Sequence, residues 1–326
     1  MLKLPNKVLL NGEDCFHLML ERNIVKYKTG NNIIRMVMTV KDEASLKRIE
    51  TAIQTSPLIH WIANIQLKTP FFINPYWRYT NNGKTIAIHQ LEGFFDDVPP
   101  VILNQNFQLK KDQLIRFDSY TSNTNELKLV MSFHHVLLDG RGSGLIIRHL
   151  TGNLPIDEET IQAIFPKKIK KINFFSHFIN MFQVKAFVEK TMKKPIGHVK
   201  KGASKNNTYL LRTINFDLEQ THIIDENAKK NGARFGTNLF QIACCANAIS
   251  SLIDYKHELW VPIPYDGRKR GSFGPVISNN ISFHFYRLKI SSTTRISETI
   301  ASIQSQMNEQ LKMEMPRKYN QLLQFM

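Results

Sequence analysis

"SFHHVLLDGRGSG", residues 132–144, decides the reading of this chain. Two histidines close an apolar run, three apolar residues follow, and an Asp-Gly pair then opens a stretch with glycine at every second position. Just upstream, "ELKLVMSFHH" (126–135) has the composition of a strand, in which successive side chains alternate between two faces. By that parity Leu127, Leu129, Met131, Phe133 and His135 share one face, and Lys128, Val130, Ser132 and His134 share the other. His135 is therefore expected to point into the core and His134 toward the more polar side. Desolvation at the inner end of a core strand favours neutral imidazole, which is what a general base needs near pH 7. Asp139 is placed to fold back on the loop or to pair with an arginine, and Gly140 to permit a tight turn. A core histidine or an Asp-Gly turn alone is an ordinary structural feature. Four fixed residues in seven, at a strand end and ahead of a helix, ask for more.

Outward from this stretch the first part of the chain alternates strand and helix signals. "IIRMVMTV" (33–40), "TIAIHQL" (85–91) and "QLIRFDSY" (113–120) read as strands. "DEASLKRIETAIQTSP" (42–57) reads as a helix capped by Asp42, with Leu46, Ile49 and Ile53 on one face and Pro57 at its end. "GSGLIIRHLTG" (142–152) reads as a helix. The pattern restarts later: a strand over 209–218, a helix over 217–232 with Asp217 and Gln220 in capping-box spacing, and a buried helix over 237–253. Strands over 259–265 and 280–290 and a last helix over 296–311 follow. No repeat is present, and the plan is α/β in two halves. The expected boundaries are 1–165 for the half carrying the motif, 166–206 for a connection, and 207–326 for the second half.

The net charge is +16, and its placement matters more than its size. Residues 167–205 hold eleven lysines against one acid, Glu189, so this connection carries +10 and the rest of the chain +6. Phe174, Phe175, Phe178, Ile179, Phe182, Phe187 and Val188 lie among those lysines. Three readings stand: a solvated crossover, a positive collar for CoA phosphates or an acidic carrier protein, and a segment that contacts anionic membrane peripherally. Nucleic acid ranks below these, since no binding motif accompanies the charge. The start has no long apolar stretch of the signal-peptide kind, and the greasiest segment (239–253) is shorter than the roughly 18 residues of a spanning helix. Cys15, Cys244 and Cys245 are odd in number and lack metal spacing, which fits a reducing cytoplasm. "GRGSG" (140–144) lacks the lysine of a phosphate loop, and adjacent histidines on opposite strand faces do not converge on a metal.

"HHVLLDG" (134–140) resembles the signature of the CoA-dependent acyltransferase superfamily. That group includes chloramphenicol acetyltransferase, condensation domains of nonribosomal peptide synthetases, alcohol acetyltransferases, and wax ester synthase/diacylglycerol acyltransferases. The likeness extends weakly along the chain. "LNGEDCFHLMLER" (10–22) resembles the family's opening strand region, and "SPLIHW" (56–61) the Pro-Leu after its first helix. "DQLIRFDSY" (112–120) is similar to the strand before the signature, with an arginine at Arg116. Thr237 and Asn238 match a Thr-x-Asn-Asp helix in part, with Leu239 following. "VPIPYDGRKRGSFGPVISNNIS" (261–282) resembles a Pro…Arg…Gly-Asn-x-x-Ser region, with Arg268 as its arginine, Asn279 or Asn280 as its asparagine, Ser282 following, and Ser278 where glycine is common.

The resemblance implies a chloramphenicol-acetyltransferase-like α/β fold: two related mixed-sheet halves with a channel between them. It implies transfer of an acyl group from a CoA or carrier-protein thioester to an acceptor hydroxyl or amine, with His135 as base. His134, Asp139 and Gly140 would be structural, Asp139 pairing with Arg268 or Arg116. Asn279, Asn280 and Ser282 are the candidates to meet the oxyanion or substrate. No metal or bound cofactor is implied, and CoA enters as cosubstrate. The family continues past the late helix to an Asp-Phe-Gly-x-Gly-like motif absent from this sequence, so the second half is expected to be a shortened one. The alternative is a non-catalytic acyltransferase-like remnant that binds a hydrophobic ligand or partner.

Overall fold

The computed structural model describes residues 3–27, 30–71, 73–166, 174–192, 214–234, 236–250, 258–268, 274–291 and 293–323. In chain order the elements are β1 (Lys7–Leu9), α1 (Gly12–Tyr27), β2 (Ile33–Val40), α2 (Glu43–Thr55), α3 (Pro57–Ala63), β3 (Ile65–Lys68), β4 (Tyr76–Tyr79) and β5 (Ile88–Phe95). Next come α4 (Pro100–Leu103), β6 (Ile115–Ser122), β7 (Leu127–His134), α5 (Gly140–Leu150), α6 (Glu158–Ile164) and α7 (Phe174–Met192). The last are α8 (Leu218–Lys230), α9 (Asn238–Ser250), β8 (Leu259–Asp266), β9 (Ile281–Leu288), α10 (Ile296–Lys312) and α11 (Met315–Leu323). The architecture is mixed α/β, with two compact units. The first contains Met1–Lys171, Asp266–Ile281 and Asn320–Met326, and the second Ile172–Tyr265 and Ser282–Tyr319. Asp266–Ile281, which linear reading groups with the second half, thus folds with the motif.

The first unit holds a small antiparallel sheet, β1-β4-β3, and a mixed sheet, β2-β7-β6-β5. In the latter β7 runs antiparallel to both neighbours, with Ile33 opposite His134 and Ile115 opposite Phe133. β5 joins β6 in parallel with a register shift between Gln90 and Phe94. Trp61, Trp77, Phe117 and Phe133 fill its core. The sequence expected a polar face on β7, and the structure corrects this. Val130, Ser132 and His134 are as fully buried as Leu129, Met131 and Phe133, because both faces of this interior strand are covered at its end.

Local chemistry sets the helix ends. Asp42 caps α2 by accepting from Ser45 N. Ser56 ends α2 and caps α3, whose first residue is Pro57, so the proline marks a start as well as a stop. "LNGEDCFHLMLER" is not a strand region: it forms the head of α1. Asn11 Oδ1 accepts from Asp14 N, and Asp14 Oδ2 accepts from Asn11 N, a reciprocal cap that starts the helix.

The second unit contains the two-stranded sheet β8-β9 together with α7, α8, α9 and α10. Tyr286 and Leu288 of β9 are buried with Ala246 of α9 and Ile303 of α10. The capping box at Asp217 and Gln220 forms as the spacing predicts. The strand expected over 209–218 lies outside the described residues as far as 213. Residues 214–217 are not strand, and Leu218 begins α8. Gln306 and Gln310, one turn apart on α10, each bond twice to the backbone of β9. Gln310 accepts from Phe285 N and donates to Phe285 O (3.0 and 2.9 Å). Gln306 does the same for Arg287 (2.8 and 2.8 Å). Two side-chain amides thereby occupy the groups a further strand would pair. Of the basic connection, Lys167, Lys168, Lys170, Lys171, Lys193, Lys194, Lys200, Lys201 and Lys205 lie outside the described residues. α7 is described, and Phe175, Phe178, Ile179 and Phe182 are exposed on it.

Candidate active site

β7 delivers the two histidines and stops between them. His134 is its last residue, so parity no longer governs His135, which begins the turn into α5. His134 is fully buried. Its Nδ1 accepts from Val136 N at 3.2 Å, and its Nε2 lies 3.3 Å from Glu21 Oε2 of α1 without the alignment of a hydrogen bond. That ring pins the turn. His135 is only partly buried. Its N–H donates to Asn32 O, and its carbonyl accepts from Asn279 Nδ2 at 2.7 Å. Nδ1 is buried and makes no hydrogen bond among the described residues. Burial holds the His135 imidazole below the ordinary histidine range, against a pull upward from its own backbone, Asp139 and Asn279.

Asp139 is completely buried and uses both oxygens. Oδ1 accepts from Arg141 N and Gly142 N and so caps α5. Oδ2 accepts from Arg268 at 2.7 Å and from Asn280 N at 3.2 Å. Of the two arginines offered by the sequence, Arg268 makes this pair, with its side chain 1% exposed. Arg116 instead binds Asp118, two residues along the same strand face, at 2.7 Å. Gly140 sits in open space without a positive φ, so the turn does not depend on a glycine there. The requirement falls on Gly142, where a Cβ would overlap the Val276 carbonyl oxygen.

Residues 274–281 form a strap held at four backbone amides. Val276 N and Ile277 N donate to Ile164 O, Asn279 N to Asp14 Oδ1, and Asn280 N to Asp139. Both amide hydrogens of Asn279 are committed, to Asp14 Oδ1 and to the His135 carbonyl. Ser282 donates to Pro316 O. These two are therefore already engaged as donors, while the Asn280 side chain makes no hydrogen bond among the described residues.

Sequence reading missed the contribution of α1. Asp14, His17 and Glu21 follow at helical spacing: His17 and Glu21 meet the two histidines directly, and Asp14 reaches them through Asn279. The His17 ring stacks on the His135 ring, centroids 3.9 Å apart and planes 29° apart. Burial, aided by His135 and His134, lowers His17 to about 3. Burial pushes Asp14 up to about 7 and Glu13 up to about 8. The i, i+3, i+7 spacing of 14, 17 and 21 was the available signal, hidden by taking the segment as strand. Among the described residues no group of His, Cys, Asp and Glu is arranged to hold a metal ion.

No family model and no curated protein matches the sequence. Solved structures do match the fold. The first condensation domain of the calcium-dependent antibiotic synthetase, in complex with a substrate analogue, aligns with a TM-score of 0.63 at 13% identity, covering 94% of this chain and 76% of that one. The starter condensation domain of rhizomide synthetase, a mutant in complex with C8-CoA and Leu-SNAC, aligns at 0.62 and 12% identity over 97% and 72%. The condensation domain from the Monacolin K polyketide synthase aligns at 0.58 and 12% identity over 95% and 74%. With the motif at the end of β7 and the strap from the late part of the chain closing over its turn, the protein has the chloramphenicol-acetyltransferase-like fold of the condensation domains.

Proposed function

We propose that the protein transfers an acyl group from a CoA or carrier-protein thioester to an acceptor hydroxyl or amine, with His135 as general base. The observation that carries this reading is the state of His135. It is a partly buried imidazole at the end of β7, held below the ordinary histidine range by burial, with Nδ1 buried and unbonded among the described residues. His135 takes the acceptor's proton as the acceptor oxygen or nitrogen attacks the thioester carbonyl. Collapse of the tetrahedral adduct breaks the carbon–sulfur bond, and the thiolate leaves with that proton. General-base help of this kind contributes about 10²–10⁴-fold. Asn280 remains the candidate donor to the oxyanion. The C8-CoA bound to the rhizomide synthetase domain makes a medium-chain acyl-CoA the first donor to try. CoA would enter as cosubstrate, with no resident cofactor.

The test is thiol release from octanoyl-CoA in the presence of mixed alcohols and amines. Wild type should release CoA, and His135→Ala should lose release by at least about 10²-fold while keeping its fold. His134→Ala should disturb the turn more than the chemistry. Equal release by wild type and His135→Ala would end the enzymatic reading in favour of a non-catalytic binding protein.

We also propose that the segment 167–205 brings this chemistry to anionic membrane surface. Supporting it are its +10 charge and the exposed face formed by Phe175, Phe178, Ile179 and Phe182 on α7.

A further inference from the structure

The contact between His17 and His135 is anchored at both ends. His17 stands on α1, whose first turn is fixed by the Asn11–Asp14 cap. Asp14 binds Asn279, and Asn279 holds the His135 carbonyl. Asn32 closes the other side, accepting from His135 N and donating to His17 O. The backbones that carry the two rings are thus tied together through Asp14, Asn279 and Asn32. Phe16 meets His17 edge-on at 5.5 Å.

We propose that His17 is a positioning residue for His135: its ring covers one face of the base, fixes the base's rotation, and leaves Nε2 as the nitrogen that meets the acceptor. The catalytic consequence rests on the acyl-transfer reading, while the positioning itself does not. The titratable groups that face the pair are His134 from β7 and Asp139 from the turn. Asn32 and Asn279 face it as neutral amides. A charge on one ring disfavours a charge on the other at this distance, so the pair holds at most one added proton near neutrality. When His135 takes that proton, neutral His17 offers it an aromatic face.

Carbon-13 NMR of the whole chain, labelled at histidine Cε1 and assigned with His135→Ala, reads the titration of His135 without substrate. The wild-type midpoint should lie below the ordinary value of about 6.5. In His17→Ala and in His17→Asn, which remove the ring and admit water, the midpoint should rise toward that value. In His17→Phe, which keeps the aromatic cover, it should stay at the wild-type position. With octanoyl-CoA, the Ala and Asn variants should lose about tenfold in kcat with little change in KM, and Phe should restore most of it. An unchanged His135 titration in the ring-less variants, or a Phe variant as altered as they are, overturns the proposal. If wild type releases no CoA from any acceptor mixture, the acyl-transfer reading fails while the titration still decides the role of His17.

Discussion

At the scale of single residues, Asp139 is the one on which most depends. Its two oxygens accept four hydrogen bonds, two from the start of α5 and two from the 266–281 segment. Asp139→Asn keeps the shape but leaves Arg268 buried beside an amide. Removing one partner of such a pair costs about 3–5 kcal/mol, and Asp266, 3.3 Å from Arg268, holds the loss toward the lower figure. Urea unfolding of the two proteins measures this, and a loss well under 1 kcal/mol would show that the pair is dispensable. Gly142→Ala should cost about 1–3 kcal/mol by forcing the strap away from α5, whereas Gly140→Ala should be nearly silent. His135, Asp139 and Arg268 were legible because they sit in or near a spaced motif. His17 and Glu21 were not, because their meaning comes only from the angle at which α1 meets β7. His134 was misjudged for a similar reason: alternation assigns faces, and says nothing of whether the second face is covered.

At the scale of elements, helices with side-chain caps were read best. Asp42 and Asp217 announce α2 and α8 because a capping carboxylate acts within three residues and needs nothing distant. α1 was hidden, although Asn11 and Asp14 form the same kind of signal, because the apolar residues around them also suit a strand. The pairing of β9 with Gln306 and Gln310 could not be read at all, since it depends on a helix lying along a strand's edge. It predicts a local effect. Gln306→Ala with Gln310→Ala removes four neutral hydrogen bonds, each contributing about 0.5–1.5 kcal/mol net. The amides of Phe285 and Arg287 should then exchange with deuterium at least tenfold faster, with peptides from α5 unchanged. Equal exchange at both positions would mean that the glutamines only fill space.

At the scale of the whole molecule, stability should fall as pH rises through neutrality. Glu13 and Asp14 have folded-state values of about 8 and about 7, above those of free carboxyls. Between the two values the folded state binds more protons than the unfolded one, so stability is full below the unfolded value and is lost toward the folded one. His17, His135 and His284, held by burial below the ordinary value, act oppositely below about 6.5, so the window from 6.5 to 8 isolates the acids. Urea midpoints should decline across it, and Glu13→Gln should flatten the decline; a midpoint that rises would contradict the assignment. Co-sedimentation with liposomes addresses the basic segment. Anionic vesicles should recover the protein at low salt, less at high salt, and less again when Lys167, Lys168, Lys170 and Lys171 are changed to Gln. Equal recovery by neutral vesicles would reduce the segment to a solvated crossover. The ion pair of Asp139 has a further consequence, one of timing. Arg268 follows it by 129 residues, so at about 5–20 residues per second a ribosome makes the arginine roughly 6–26 s after the aspartate. Throughout that interval the newborn chain already carries both histidines and can form the Asp139 cap of α5, yet the carboxylate lacks Arg268 and Asn280, and its second oxygen is left to water. The corner around the motif is thus among the last parts of the first unit to close, and a chain released before residue 268 would carry the signature without the Asp139–Arg268 pair.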